Sequence, residues 1–210
     1  MPKLLQREAA EICKDLVCKP IGIGRYTSLH MSAMNKVTIG DCTLYLGDCL
    51  EVMKEIPDES VDAVITDPPY GIALKTNYGE RKRGALTQSN NFSPIYGDNT
   101  SFDPKPFLDY RIVILFGANY YADKLPISGG WIVWDKLNGL KSNRDWGFND
   151  NSDVELIWTN IGNAARLISH RWMGAIKDSE RSERRVHPTQ KPVALMEKII
   201  KHYTVEDDII

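Results

Sequence analysis

The chain has 210 residues, of which 26 are basic, 28 acidic and 42% apolar, giving a formal net charge of −2. At ~150 residues per domain this is one domain with little room for a second, and the composition excludes a disordered chain, a collagen and a coiled coil. No apolar run reaches the ~18 residues of a membrane span, and the N-terminus carries no apolar stretch ahead of a small-residue cleavage site. The expectation is a cytoplasmic protein without membrane association. With charge so nearly balanced, any affinity for nucleic acid has to come from a local patch.

Residues 1–35 read as a poorly ordered lead-in: a short helical stretch from Leu4 to Val17 is ended by Pro20, Gly22 and Gly24. The remainder, 36–210, reads as one α/β catalytic domain. Residues 43–48 form a short strand, and Leu50 to Ile56 a helix stopped by Pro57. Val61 to Ile65 is a compact apolar run emptying into Thr66-Asp67-Pro68-Pro69-Tyr70, a buried strand with a loop at its carboxyl end. Residues 71–106 are polar and rich in Gly, Asn, Ser and Pro, the composition of a long functional loop. Arg111 to Phe116, Gly130 to Trp134 and Val154 to Trp158 are further strands. Pro192 to Tyr203 predicts a helix with Val193, Met196, Ile199, Ile200 and Tyr203 on its core face, and 207–210 looks like another strand beginning. The four cysteines, Cys13, Cys18, Cys42 and Cys49, form no C-x-x-C pair and read as buried thiols in a reducing compartment; no metal is expected.

The sharpest motif is Asp67-Pro68-Pro69-Tyr70 directly after an apolar strand, the place where ligands bind in open α/β sheets. An exocyclic amine on a nucleobase is a poor nucleophile because its lone pair is delocalised into the ring. A carboxylate accepting one of its N–H groups, with a carbonyl accepting the other, draws the nitrogen toward a tetrahedral, nucleophilic state. Proline offers no competing N–H and fixes φ, so Pro68 and Pro69 make a stiff frame. Tyr70 offers a flat face for an extruded base.

Asp67-Pro-Pro-Tyr70 resembles the catalytic motif of the DNA amino-methyltransferases that act at adenine N6 or cytosine N4, and His187-Pro-Thr-Gln-Lys-Pro192 resembles the tract preceding the cofactor-binding half in their circularly permuted branch. Gly47-Asp48-Cys49, Phe116-Gly-Ala-Asn119 and Trp131 to Lys136 are also similar to segments of these enzymes, so the resemblance runs from about residue 38 onward. It implies a Rossmann-like fold dependent on S-adenosylmethionine, with Asp67 as catalytic acceptor, Pro68 and Pro69 as frame and Tyr70 as base-stacking ring. It further implies that Asp48, Asp67, His187, Thr189, Gln190 and Lys191 line the cofactor. Taken alone, Asp48 reads equally as a turn residue, and Thr189 and Gln190 as caps of the helix that Pro192 opens.

Between Arg166 and Lys191 seven basic residues face three acidic ones. This stretch, with Arg171, Arg184 and Arg185, is the expected contact to the phosphates of double-stranded DNA. Lys75, Arg81, Lys82 and Arg83, just after the catalytic motif, are a second candidate set. A solvated loop is the competing reading of the 166–191 stretch. The strand, Gly-loop and helix that hold the cofactor in such folds have no counterpart in the sequence. The expectation is therefore weak cofactor binding by this chain, with a C-terminal segment or second chain completing the site. Three readings stand: an adenine-N6 or cytosine-N4 DNA methyltransferase, a methyltransferase for another amine or amide, and a catalytically incomplete DNA-binding subunit.

Overall fold

The computed structural model describes residues 35–76, 92–139, 152–173, 176–183 and 186–210; the expected lead-in lies outside these, apart from Asn35. The chain divides into two units, Met1–Ser60 and Val61–Ile210.

In the first unit, β1 (Asn35–Ile39) and β2 (Cys42–Leu46) form an antiparallel hairpin with Asn35 opposite Leu46 and Ile39 opposite Cys42. The turn places Gly40 at φ 55°, a conformation that glycine adopts without steric cost. The sequence reading missed β1 because its pattern, Asn-Lys-Val-Thr-Ile, alternates too briefly to stand out. The expected helix is shorter than predicted: α1 spans Cys49–Met53, capped by the Asp48 carboxylate, which accepts the Leu50 N–H at 2.9 Å. Cys42 and Cys49 are exposed free thiols, contrary to the buried thiols expected.

The second unit is built on a five-stranded mixed sheet. Its strands are β3 (Ala63–Thr66), β4 (Ile112–Phe116), β5 (Trp131–Asp135), β6 (Val154–Thr159) and β7 (Arg166–Ser169), in the order β3-β4-β6-β5-β7. β3 runs parallel to β4 and β5 parallel to β7, while β6 lies between β4 and β5, antiparallel to both. This arrangement decides where the site forms. The carboxyl ends of β3, β4, β5 and β7 share one edge of the sheet, and the reversed β6 brings its amino end to that same edge.

All five residues of β4 are buried, which its unbroken apolar sequence, Ile-Val-Ile-Leu-Phe, predicts for a strand covered on both faces. Ile112, Ile114 and Phe116 join Ile132, Trp134, Ile157 and Trp172 on one face; Val113 and Leu115 join Ala118, Tyr121 and Trp158 on the other. Helix α2 (Val193–Tyr203) covers the first face with Leu195, Met196, Ile199 and Tyr203. Of the predicted core face, Met196, Ile199 and Tyr203 pack on the core, whereas Val193 is 48% exposed and the fully buried Leu195 takes its place. The helix starts one residue later than expected, with Pro192 as its N-cap. Its first turn is capped from outside, by Glu180 Oε1 accepting the Ala194 N–H at 3.3 Å, and not by Thr189 or Gln190.

The stretch 166–183, which lacks periodicity in sequence, holds β7 and a small antiparallel pair, β8 (Trp172–Met173) with β9 (Ile176–Lys177). Residues 207–210 form no strand. The Ile209 carbonyl accepts both the Asp62 and Ala63 N–H groups, at 2.8 and 3.1 Å, and its own N–H donates to the Asp62 carboxylate at 2.9 Å. One carbonyl shared between two donors makes a bridge to the start of β3 and no ladder. Arg111 ties it further, pairing with Asp62 and Asp208.

Within the long polar segment, the buried Asp98 carboxylate accepts the backbone N–H groups of Gly71, Ile72 and Leu74 at 3.0, 3.3 and 2.7 Å. The chain leaving the Asp67-Pro-Pro-Tyr70 motif is thereby folded back onto residues 95–98. At the carboxyl end of β4, Gly117 adopts φ +65°, and a Cβ there would lie 2.2 Å from Tyr70 Cε1 and Cζ. Only glycine lets the Tyr70 ring rest against this turn.

Two outcomes test this packing. Leu195→Ala should lower unfolding free energy by about 2–5 kcal/mol, whereas Val193→Ala should cost under about 1 kcal/mol; equal losses in chemical denaturation would contradict the assigned helix face. Gly117→Ala should cost about 1–3 kcal/mol and alter the near-ultraviolet circular dichroism of the tyrosines, and an unchanged spectrum and midpoint would rule out the close approach.

Candidate active site

Four elements deliver side chains to one point at the carboxyl edge of the sheet. Asp67 follows β3, Lys136 follows β5, Glu155 is the second residue of β6, and Lys191 precedes α2. Register explains why Glu155 meets Lys136: Glu155 sits opposite Trp134, two residues before Lys136. Lys191 Nζ lies 2.7 Å from Asp67 Oδ2 and 2.9 Å from Glu155 Oε1, and Lys136 Nζ lies 3.0 Å from Glu155 Oε2. Two carboxylates and two ammonium groups therefore balance in a largely buried cluster. The Tyr70 hydroxyl donates to Asp67 Oδ1 at 2.5 Å and stands 3.3 Å from Glu155 Oε1.

The electrostatics follow from burial and proximity. Burial alone would push the Glu155 carboxyl up, but Lys191 and Lys136 outweigh it and hold the group below the usual glutamate range. Burial pulls the Lys191 ammonium down, and Glu155 and Asp67 more than restore it, so it titrates above its ordinary value. Burial, then the Glu155 and Asp67 carboxylates, drive the Tyr70 phenol well above its normal range, which leaves it a permanent donor. Tyr121 is raised in the same way, and its hydroxyl donates to the Phe116 carbonyl at 2.5 Å. Lys191 also lies over two aromatic faces, 5.4 Å from the Phe116 centroid and 6.0 Å from that of Tyr70. Such cation–π placement adds attraction in a site poor in water.

Beside this cluster a cleft is lined by Asp67, Pro68, Pro69, Tyr70, Ile72, Leu74, Ile95, Asp98, His187 and Thr189. His187 Nδ1 accepts the Thr189 N–H at 3.3 Å and stands 3.1 Å from Thr189 Oγ1. An acceptor at Nδ1 puts the ring proton of the neutral form on Nε2. Burial lowers the His187 pKa, against the opposing pull of Asp67, which favours that neutral form. The Tyr70 ring stacks on Tyr120, with centroids 4.9 Å apart and planes at 14°.

The structure thus brings together seven of the residues singled out from sequence: Asp67, Pro68, Pro69, Tyr70, His187, Thr189 and Lys191. Gln190 adjoins them, but its side chain accepts the Val186 N–H at 2.9 Å and its carbonyl accepts Trp172 Nε1 at 3.1 Å, both structural tasks. Asp48 belongs to the first unit, where it caps α1. Lys75 is exposed. Arg171 is half-buried, with its N–H donating to Asp178 Oδ2 at 2.8 Å and its Nε 3.7 Å from Asp178 Oδ1. Arg81, Lys82, Arg83, Arg184 and Arg185 lie outside the described residues. The sequence reading missed Glu155, Lys136, Asp98 and Tyr120 as site residues. Glu155 carried a usable signal, because a lone acid inside the apolar run Val-Glu-Leu-Ile-Trp is costly unless paired.

Among the described residues no helix is long and apolar enough to cross a membrane, and no group of three potential metal ligands occurs.

Comparison with known proteins gives a consistent direction. Residues 127–210 match the DNA methylase family of N6 and N4 methyltransferases. The chain is 42% identical over 50 residues to the type II methyltransferase M.BamHI of Bacillus amyloliquefaciens, covering 24% of this chain and 10% of that protein. It is 40% identical over 42 residues to M.PvuII of Proteus hauseri, covering 20% of this chain and 12% of that protein. A longer match, 22% identical over 223 aligned positions, relates 80% of the chain to 72% of the type II methyltransferase M2.MboI of Moraxella bovis. The chain therefore spans only about a tenth of the first two relatives. No solved structure matches it. The chain is thus similar to type II DNA methyltransferases, and its match to the DNA methylase family lies in residues 127–210.

Proposed function

We propose that this chain takes part in methyl transfer from S-adenosylmethionine to the exocyclic amine of a base extruded from double-stranded DNA, with adenine N6 the acceptor and cytosine N4 the alternative. The observation that carries the reading is Asp67: a carboxylate at the end of β3, framed by two prolines, with a protonated phenol on one oxygen and a buried ammonium on the other. A carboxylate so held is pre-aimed, and positioning of this kind supplies much of a catalytic effect.

The chain's own groups then have defined tasks. Asp67 accepts an N–H of the amine, which releases lone-pair density on nitrogen, and it offers a place for the proton shed as the new bond forms. The carbonyls of the rigid Pro68-Pro69 segment are the second acceptor. Tyr70 gives the base a flat surface whose tilt is fixed on one side by Tyr120 and by the bare Gly117 turn. The apolar walls of Pro68, Ile72, Leu74 and Ile95 exclude water from the reacting nitrogen. The cleft suits S-adenosylmethionine by the chemistry of its lining, in which a carboxylate and apolar walls face a sulfonium-bearing chain, and His187 and Thr189 supply polar anchors. Asp67, His187 and Thr189 would hold it there, and its role is to provide an electrophilic methyl on sulfur. Thr189 and neutral His187 orient without adding positive charge next to a cationic donor.

Affinity for DNA is assigned to the basic sets Lys75, Arg81, Lys82 and Arg83, and Arg171, Arg184 and Arg185. The 166–191 stretch retains this role with one reduction, because its Lys191 is spent inside the site. Adenine is preferred on the first motif position alone, where Asp resembles the N6 enzymes.

Two outcomes test it. Mass spectrometry of DNA incubated with the protein and S-adenosylmethionine should show N6-methyladenine; N4-methylcytosine alone would transfer the assignment to cytosine, and no methylated base would refute the activity for this chain. Asp67→Ala should lower the rate on the order of 10³-fold while DNA affinity holds within about threefold, because the lost interaction forms in the transition state. A variant as fast as the parent would remove Asp67 from the chemistry.

A further inference from the structure

Glu155 is the one charged residue of β6, largely buried at the point where it reaches Lys191 and Tyr70 together. Lys191 lies between two carboxylates at nearly equal distances, 2.7 Å to Asp67 and 2.9 Å to Glu155. Lys136 closes the far side of Glu155 at 3.0 Å and is not in contact range of Asp67 by any bond of this cluster. The geometry points to Glu155 as a positioning residue: it shares Lys191 with Asp67, so that Lys191 can swing onto Glu155 when the substrate amine takes up its hydrogen bond to Asp67. This deepens the methyl-transfer reading and rests on it for the identity of the amine.

Two physical features favour such an exchange. Without Glu155, the full charge of Lys191 would fall on Asp67 in a poorly hydrated site, and the pair would lock because Lys191 would have no second carboxylate to move to. With it, the move from one carboxylate to the other breaks one ion pair as it strengthens another, so the charge never loses its partner. Nothing covalent changes and the ammonium keeps its proton throughout. Lys136 keeps the sum of charges neutral, with Asp67, Glu155, Lys191 and Lys136 two against two. The other groups that face Lys191 are the Tyr70 phenol, fixed in its neutral form, and the His187 ring from its own segment.

The decisive variant is Glu155→Gln, with Glu155→Gln/Lys136→Gln as a charge-balanced companion that keeps the fold if the single change leaves Lys136 unpaired. In both, the rate of the methylation step should drop on the order of 100-fold, with the KM values for DNA and S-adenosylmethionine changed less than about threefold. Nitrogen-15 NMR of the Lys191 ammonium, measured without substrates, should show its deprotonation moving down by about one pH unit or more, since one of two carboxylates holding the proton is gone. Glu155→Asp, which keeps the charge, should recover part of both. A purely structural role predicts a lower melting point with rate and Lys191 titration unchanged in the companion that folds, and that result overturns the proposal. If the parent transfers no methyl group, the activity reading fails by itself, and an unmoved Lys191 titration still overturns the shared-cation arrangement.

Discussion

A lysine ammonium held between two carboxylates in a largely buried setting is the interaction on which the site depends. Removing the lysine leaves the Asp67 carboxylate without its ion-pair partner in low dielectric, at a cost of about 3–5 kcal/mol. Lys191 joins the segment before α2 to the loop after β3 and to the start of β6. Three pieces of chain distant in sequence are thus fixed to one another by a charge that none of them could bury alone. Tyr70 completes the arrangement from the neutral side, as burial and the two carboxylates hold its phenol protonated, donating to Asp67.

Sheet topology supplies the place for that charge. In an all-parallel sheet, the amino end of a strand lies far from the carboxyl ends where ligands bind. Because β6 runs against its neighbours, its second residue reaches the same edge as Asp67 and Lys136. The same reversal seats Phe116 opposite Ile157, which closes the core directly beneath the cluster. Around it, Asp98 gathers three backbone N–H groups of the chain leaving the motif, so the walls of the cleft are held by a buried carboxylate that takes no part in the charge cluster.

Much of this was legible from the residues. The apolar runs at β3, β4, β5 and β6 and the helix after Pro192 all lie where period and composition put them, and Asp67-Pro-Pro-Tyr70 leads to the candidate cleft. What escaped has physical reasons. Sheet order and the reversed direction of β6 are tertiary properties, and nothing in Val-Glu-Leu-Ile-Trp encodes a neighbour on either side. Lys191 looked like one more charge in a basic stretch, and only its partners reveal it as internal. Leu195 escaped notice on the core face of α2 because the helix carries apolar residues on more than one side. The strand expected at 207–210 became a bridge because the Ile209 carbonyl serves two donors at once.

The most direct test of the central arrangement is a double-mutant cycle on unfolding free energy with Asp67→Asn, Lys191→Met and their combination. Residues that share a buried ion pair should show a coupling of about 1–3 kcal/mol, with the double variant more stable than the sum of the single losses implies. Additivity to within about 0.5 kcal/mol would mean that Asp67 and Lys191 do not share a charge in the folded protein, and would contradict the account.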